Sequence, residues 1–211
     1  MLYLPSVSSL VESHAPKFNV EKMLPLSAEK QHVPVEYLRN VWRKTTEEAC
    51  QLGTKTHEFL ETYTGLQTPS TPQERAGISF IKDILKTHRI SIRELRVYSK
   101  EFLYAGTMDL PLEVIEGNWY EIDDYKTNGD LFKAYDMLKP PFNMMEASPF
   151  NKYQIQLSYY QIPLEEIGLT IKKRNLIHLK EDGTYRVYEL EDLTEYLKDY
   201  MRYKNKKTRA A

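Results

Sequence analysis

Apolar residues along this chain recur at steps of three to four in some stretches and at steps of two in others, and each change of step marks a new element. The run Pro5-Ser6-Val7-Ser8-Ser9-Leu10-Val11 opens a short helix that a serine can cap, and Pro16-Lys17-Phe18-Asn19 closes it. A second helical piece covers Val20 to Gln31, and a long helical pattern runs from Pro34 to Thr64 with Ala49, Gly53, His57 and Leu60 on one face. After the Pro- and Thr-rich break at Thr68 to Pro72, a helix with Ile78, Ile81, Ile84 and Leu85 on one side continues to His88. Period-two alternation follows: a strand over Ile90 to Tyr98, then extended runs over Leu103 to Ile115 and Trp119 to Lys126. A long connection, Asn128 to Asn151, leads into a helix capped by Asn151. Its stripe is Tyr153, Gln156, Leu157, Tyr160 and Leu164, and Pro163 is expected to end or kink it. Ile171 to Leu179 and Tyr185 to Leu190 form a hairpin around Asp182-Gly183, and a last helix spans Glu191 to Tyr203.

The two extended runs flank Glu116-Gly117, a dipeptide suited to a tight turn. With those residues as the loop, Asp109 stands directly opposite Asp124, their Cβ atoms about 4.5–5.5 Å apart. Two facing carboxylates repel, and a sheet gains nothing from them unless a cation lies between. Lys126, two residues after Asp124, projects from the same face.

Composition narrows the options. The chain has 211 residues, enough for one well-buried domain. Its 29 basic and 30 acidic residues nearly balance, so any nucleic-acid binding must come from a local patch. Cys50 is the only cysteine, which excludes an internal disulfide and any four-cysteine iron–sulfur cluster made by one chain. No apolar run approaches the ~18 residues that span a bilayer, and the N-terminus lacks a secretory pattern. The expectation is a cytoplasmic protein with no membrane partner. The 16 tyrosines suit stacking on bases and suit an amphipathic core equally well.

Gly106-Thr107-Met108-Asp109, followed with fourteen residues between by Asp124-Tyr125-Lys126, resembles the PD-(D/E)XK nuclease signature in its G-x-x-D…D-x-K form. Gly53-x-x-x-His57 and Gln156-x-x-x-Tyr160 are similar to two further motifs of the RecB-type branch. Order and spacing agree over Leu52 to Leu179. The opening of the chain looks loosely like that of phage and mitochondrial single-strand exonucleases. Met108 stands where the family's proline usually precedes the first aspartate.

The resemblance implies an α/β fold: one domain with a mixed central β-sheet flanked by helices, an αβββαβ core over 46–211, and an N-terminal helical extension over 1–45. It implies Mg²⁺ or Mn²⁺, one or two ions, held by His57, Asp109, Asp124 and the Tyr125 carbonyl, and no iron–sulfur cluster. Catalytic roles fall to Asp109, Asp124 and Lys126, with Gln156 and Tyr160 positioning the scissile phosphate. Glu94 and Glu101 compete for a further acidic place, against the alternative of solvated residues. The activity implied is metal-dependent hydrolysis of DNA phosphodiesters, as an exonuclease on single strands or duplex ends. A structure-specific endonuclease and a catalytically idle nucleic-acid-binding or interaction protein are the alternatives. The 128–151 connection is expected to border the substrate groove. The basic tail Lys204, Lys206, Lys207 and Arg209 is expected to be a solvated terminus or a source of phosphate contacts.

Overall fold

The computed structural model describes residues 4–90 and 92–210. The first three residues of the expected extension, Ser91 within the expected strand, and the side chain of Arg209 lie outside what is described. Three helices come first: α1 (Val7–His14), capped by the Ser6 hydroxyl, α2 (Val20–Gln31), capped by Asn19, and α3 (Val35–Thr62). The last runs unbroken past residue 45, so the extension and the core share one helix. α4 (Pro72–Ile84) starts with a capping box, the Thr71 hydroxyl and the Glu74 carboxylate each accepting from the other's backbone N–H. It stops at Ile84, short of His88, because His88 begins a strand.

A five-stranded sheet carries the core in the order β1 (His88–Ile90), β4 (Leu110–Val114), β5 (Tyr120–Lys126), β6 (Ile171–Leu179), β7 (Tyr185–Glu189). β5 and β6 are parallel and the other neighbours antiparallel, so the sheet is mixed. β2 (Leu95–Ser99) and β3 (Tyr104–Met108) form a separate two-stranded ribbon. β5 is central, and helices on both sides explain why nearly every one of its side chains is buried. One face packs Ile122 and Leu176 against Leu157 and Ile155 of α5 (Pro149–Glu166). The other packs Leu110, Leu112, Tyr125 and Ile177 against Phe80 and Ile81 of α4 and Leu60 of α3. α6 (Thr194–Ala210) closes the chain, carrying Lys204, Lys206 and Lys207 on a continuous helix.

Three expectations are corrected. The extended run Leu103 to Ile115 is two strands in two sheets, and the break falls on Asp109, whose carbonyl accepts from the Glu94 N–H. The run Ile90 to Tyr98 is broken in the same way, with Glu94 in the left-handed region at φ 53°. The hairpin between β4 and β5 closes through Ile115 to Asn118, not through Glu116-Gly117 alone, yet its register is the one expected, with Leu110 opposite Asp123. Two smaller differences concern α5. Ser148, not Asn151, caps it, and Pro163 sits inside the helix without ending it.

Candidate functional site

The C-terminal end of β5 gathers the chemistry. Asp109 lies one position beyond the last paired residue of β4, and its Oδ2 accepts from the Tyr125 N–H at 2.9 Å. His57 reaches the same place from α3. Its Nδ1 is 3.2 Å from Asp109 Oδ2 and its Nε2 is 3.1 Å from the Tyr125 carbonyl. Near them, Asp124 is buried and the Lys126 ammonium rests against its carboxylate. Alternation along β5 puts Asp124 and Lys126 on the α5 face, while Asp123 points to the opposite face, where Asn175 Nδ2 donates to it at 2.8 Å.

The charges read one another. Burial works against the Asp109 charge, but the His57 ring, the Lys126 ammonium and the Tyr125 N–H together hold its carboxyl below the usual range. Burial pushes Asp124 up to about 6, with Lys126 pulling down and Asp109 adding to the rise. The Lys126 ammonium is held in its charged form, because the attraction of Asp124 and Asp109 outweighs burial. Glu94 is pushed up first by burial and then by the neighbouring Asp109 charge. Such crowding of carboxylates costs stability unless a cation joins them.

His57, Glu94 and Asp109 each offer a ligand atom, and these atoms all lie within 4.8 Å of one another. Two carboxylates, one imidazole and a nearby backbone carbonyl form a donor set that suits a hard divalent cation. Of the expected ligands, His57, Asp109 and the Tyr125 carbonyl are thus brought together. Asp124 is turned to Lys126 instead. Glu94, which the sequence left between ligand and solvated residue, is the third member of the group. Glu101 goes elsewhere, paired with Arg202 Nε at 2.8 Å.

The remaining expected residues come from α5. Gln156 Nε2 donates to the Tyr160 hydroxyl at 3.2 Å, and burial pushes Tyr160 up to about 12. Tyr153 is a residue that the sequence placed only in a packing stripe. Its ring lies 4.7 Å from the Lys126 ammonium, and its hydroxyl donates to Asn128 Oδ1 at 2.7 Å. No motif signal singles it out; only its place on the same stripe as Gln156 and Tyr160 hinted at the site. Gly106, which leads the first aspartate, proves to be a packing requirement. A Cβ there would stand 2.7 Å from Tyr160 Cε1 and 2.8 Å from Val7 Cγ2. Gly53 is different, since its Cβ would meet only Thr127 Oγ1 at an ordinary 3.7 Å. Close approach of α3 to the sheet is therefore not what that glycine provides.

A groove of about 490 Å³ opens beside these groups, lined by Gly53, Thr54, His57, Glu94, Lys126 and Asn128 among others. Of the 128–151 connection, Asn128 reaches this groove, while Leu131, Leu138 and Phe142 are packed into the core. Among the described residues no helix is long and apolar enough to cross a membrane. A scan against models of known protein families finds no match, and a search of curated proteins finds none either.

Proposed function

We propose that this chain is a divalent-metal-dependent nuclease of the PD-(D/E)XK type that hydrolyses DNA phosphodiesters, acting as an exonuclease on single strands or duplex ends. The observation that carries the reading is the convergence, at one end of β5, of His57, Glu94 and Asp109 as candidate ligands beside a charged lysine held by a second aspartate.

The ion, Mg²⁺ or Mn²⁺, would be held by Asp109, His57, Glu94 and the Tyr125 carbonyl, with Asp124 alongside. When bound, it supplies Lewis acidity and a water of lowered pKa. The chain does the rest. The Lys126 Nζ–H groups orient the attacking water and offset the negative charge that builds on the phosphoryl oxygens. Asp124 and the Tyr153 ring hold that ammonium in place. By the resemblance, the Tyr160 hydroxyl, to which Gln156 donates, would contact the phosphate being cut. As the water oxygen bonds to phosphorus, the bond from phosphorus to the departing sugar oxygen breaks.

The test is digestion of end-labelled single-stranded, double-stranded and circular DNA with Mg²⁺, Mn²⁺ or chelator. The expected result is metal-dependent loss of linear substrates with circles spared. Cutting of circles would make the enzyme an endonuclease. Intact nucleic acid under every condition would overturn the nuclease reading and leave a binding protein on this fold.

A further inference from the structure

Pairing across β5, β6 and β7 sets Lys126 beside His178 and His178 beside Arg186. All three therefore project from one face of the sheet, in a row about 10 Å long given the usual strand spacing. The row grades outward: the Lys126 side chain is 15 % exposed, His178 is half-buried and Arg186 is exposed. Asn128 ties its inner members together. Its side-chain oxygen accepts from the tyrosine beneath Lys126, and its carbonyl lies 2.7 Å from His178 Nε2.

Arg186 lies 4.7 Å over the ring of Tyr188, and among the described residues no carboxylate pairs with it. Tyr188 belongs to a ring cluster: Phe132 stands 5.6 Å from it edge-on and 5.0 Å from Phe150. Phe132 nevertheless leaves 53 % of its surface exposed. Packing against Tyr188 accounts for only part of each group, and it leaves the exposed part of the Phe132 ring and the guanidinium facing solvent. Together they match a polyanion whose flat groups are free to stack, which describes an unpaired nucleic-acid strand and not a duplex, whose base faces are covered.

We infer that an unpaired strand runs from the site across β6 and β7, its phosphates held by Lys126 and Arg186 with the His178 ring between them, and a base against Phe132 beside Tyr188. This rests on the proposed nuclease reading for the direction in which the strand runs, and it names the substrate that reading leaves open. It does not require cleavage.

Binding of a short labelled single-stranded oligonucleotide and of a matching hairpin duplex is measured by fluorescence anisotropy in chelator, over a salt series. Arg186→Glu is expected to weaken single-strand binding about tenfold and to lower the salt slope by about one. Phe132→Ala is expected to weaken it about tenfold with the salt slope unchanged and duplex binding unaffected. Thermal melts confirm that both variants fold; Arg186→Gln and Phe132→Leu replace any variant that does not. Single-strand affinity equal to that of the unaltered protein in both folded variants overturns the inference, as does failure of the unaltered protein to bind the strand. The two readings fail separately. Binding that depends on Arg186 and Phe132 without any cleavage leaves this track standing and removes the nuclease, whereas cleavage with indifferent variants does the reverse.

Discussion

Nδ1 of His57 lies 3.2 Å from Oδ2 of Asp109, and the other nitrogen of the same ring lies 3.1 Å from the Tyr125 carbonyl. A ring with an acceptor at each nitrogen is best satisfied when both carry protons. Burial opposes that charge, but Asp109 prevails and raises the His57 pKa above 6.5. To ligate a cation, the ring must give that proton up.

The pH dependence follows in sign. A base whose folded pKa is raised contributes stability that is complete below its unfolded value and lost as the pH rises through the folded one. The metal-free protein should therefore lose melting temperature above pH 6.5, and His57→Asn should flatten that decline. Mn²⁺ affinity should climb over the same window. Calorimetric titration in buffers of different ionisation heat should show proton release, and less of it in the His57→Asn variant.

Lys126 and Asp124 are tested as a pair. Lys126→Met leaves a buried carboxylate without its cation and should cost about 3–5 kcal/mol. The lower end is expected, because Asp124, already at about 6, can take up a proton. Adding Asp124→Asn should return most of the loss on chemical denaturation. Nuclease activity should stay at least ~100-fold down in the single and the double variant.

Asp123 and Asp124 are adjacent, and only Asp124 faces the proposed site. Asp123 is buried on the other face, its pKa raised well above the usual carboxylate range by burial. Asp123→Asn should keep cleavage while Asp124→Asn abolishes it. An acid with a raised folded pKa destabilises the fold once ionised. The stability gained by Asp123→Asn should accordingly grow as the pH rises above the usual carboxylate range and level off once the buried carboxyl ionises, as read from melts at successive pH.

Gly106→Ala places a methyl group into Tyr160 and Val7. Overpacking of this kind costs about 1–3 kcal/mol. The displaced Tyr160 ring should lower cleavage as well. Gly53→Ala, with only an ordinary contact to Thr127, should be neutral or slightly stabilising in a helix, and denaturation of both variants side by side checks the contrast.

The register of β4 against β5 could be read from the sequence because a two-residue period leaves few ways to bury Leu110, Leu112 and Ile122 at once. The same period put Asp124 and Lys126 on one face, and helical spacing put His57 on the inner side of α3. The break at Asp109 could not be read. Thr107, Met108 and Leu110 all favour an extended chain, and only the separate pairing of β3 with β2 shows that the strand changes sheets there. Glu94 stayed undecided between ligand and solvated residue for a related reason: its place beside Asp109 depends on a left-handed backbone that glycine or asparagine would have signalled and glutamate does not. Tyr153 carries no local signature, since its place beside Lys126 and Asn128 joins parts of the chain that are far apart in sequence.

One of the two site aspartates is fixed within the middle strand of the larger sheet, and the other sits at the joint where the chain crosses to the β2–β3 ribbon. Where the ribbon seats against the sheet therefore decides how far Asp109, and Glu94 with it, stand from Asp124 and Lys126. The spacing that an ion would have to fill is set by the junction of two sheets and not by one strand alone.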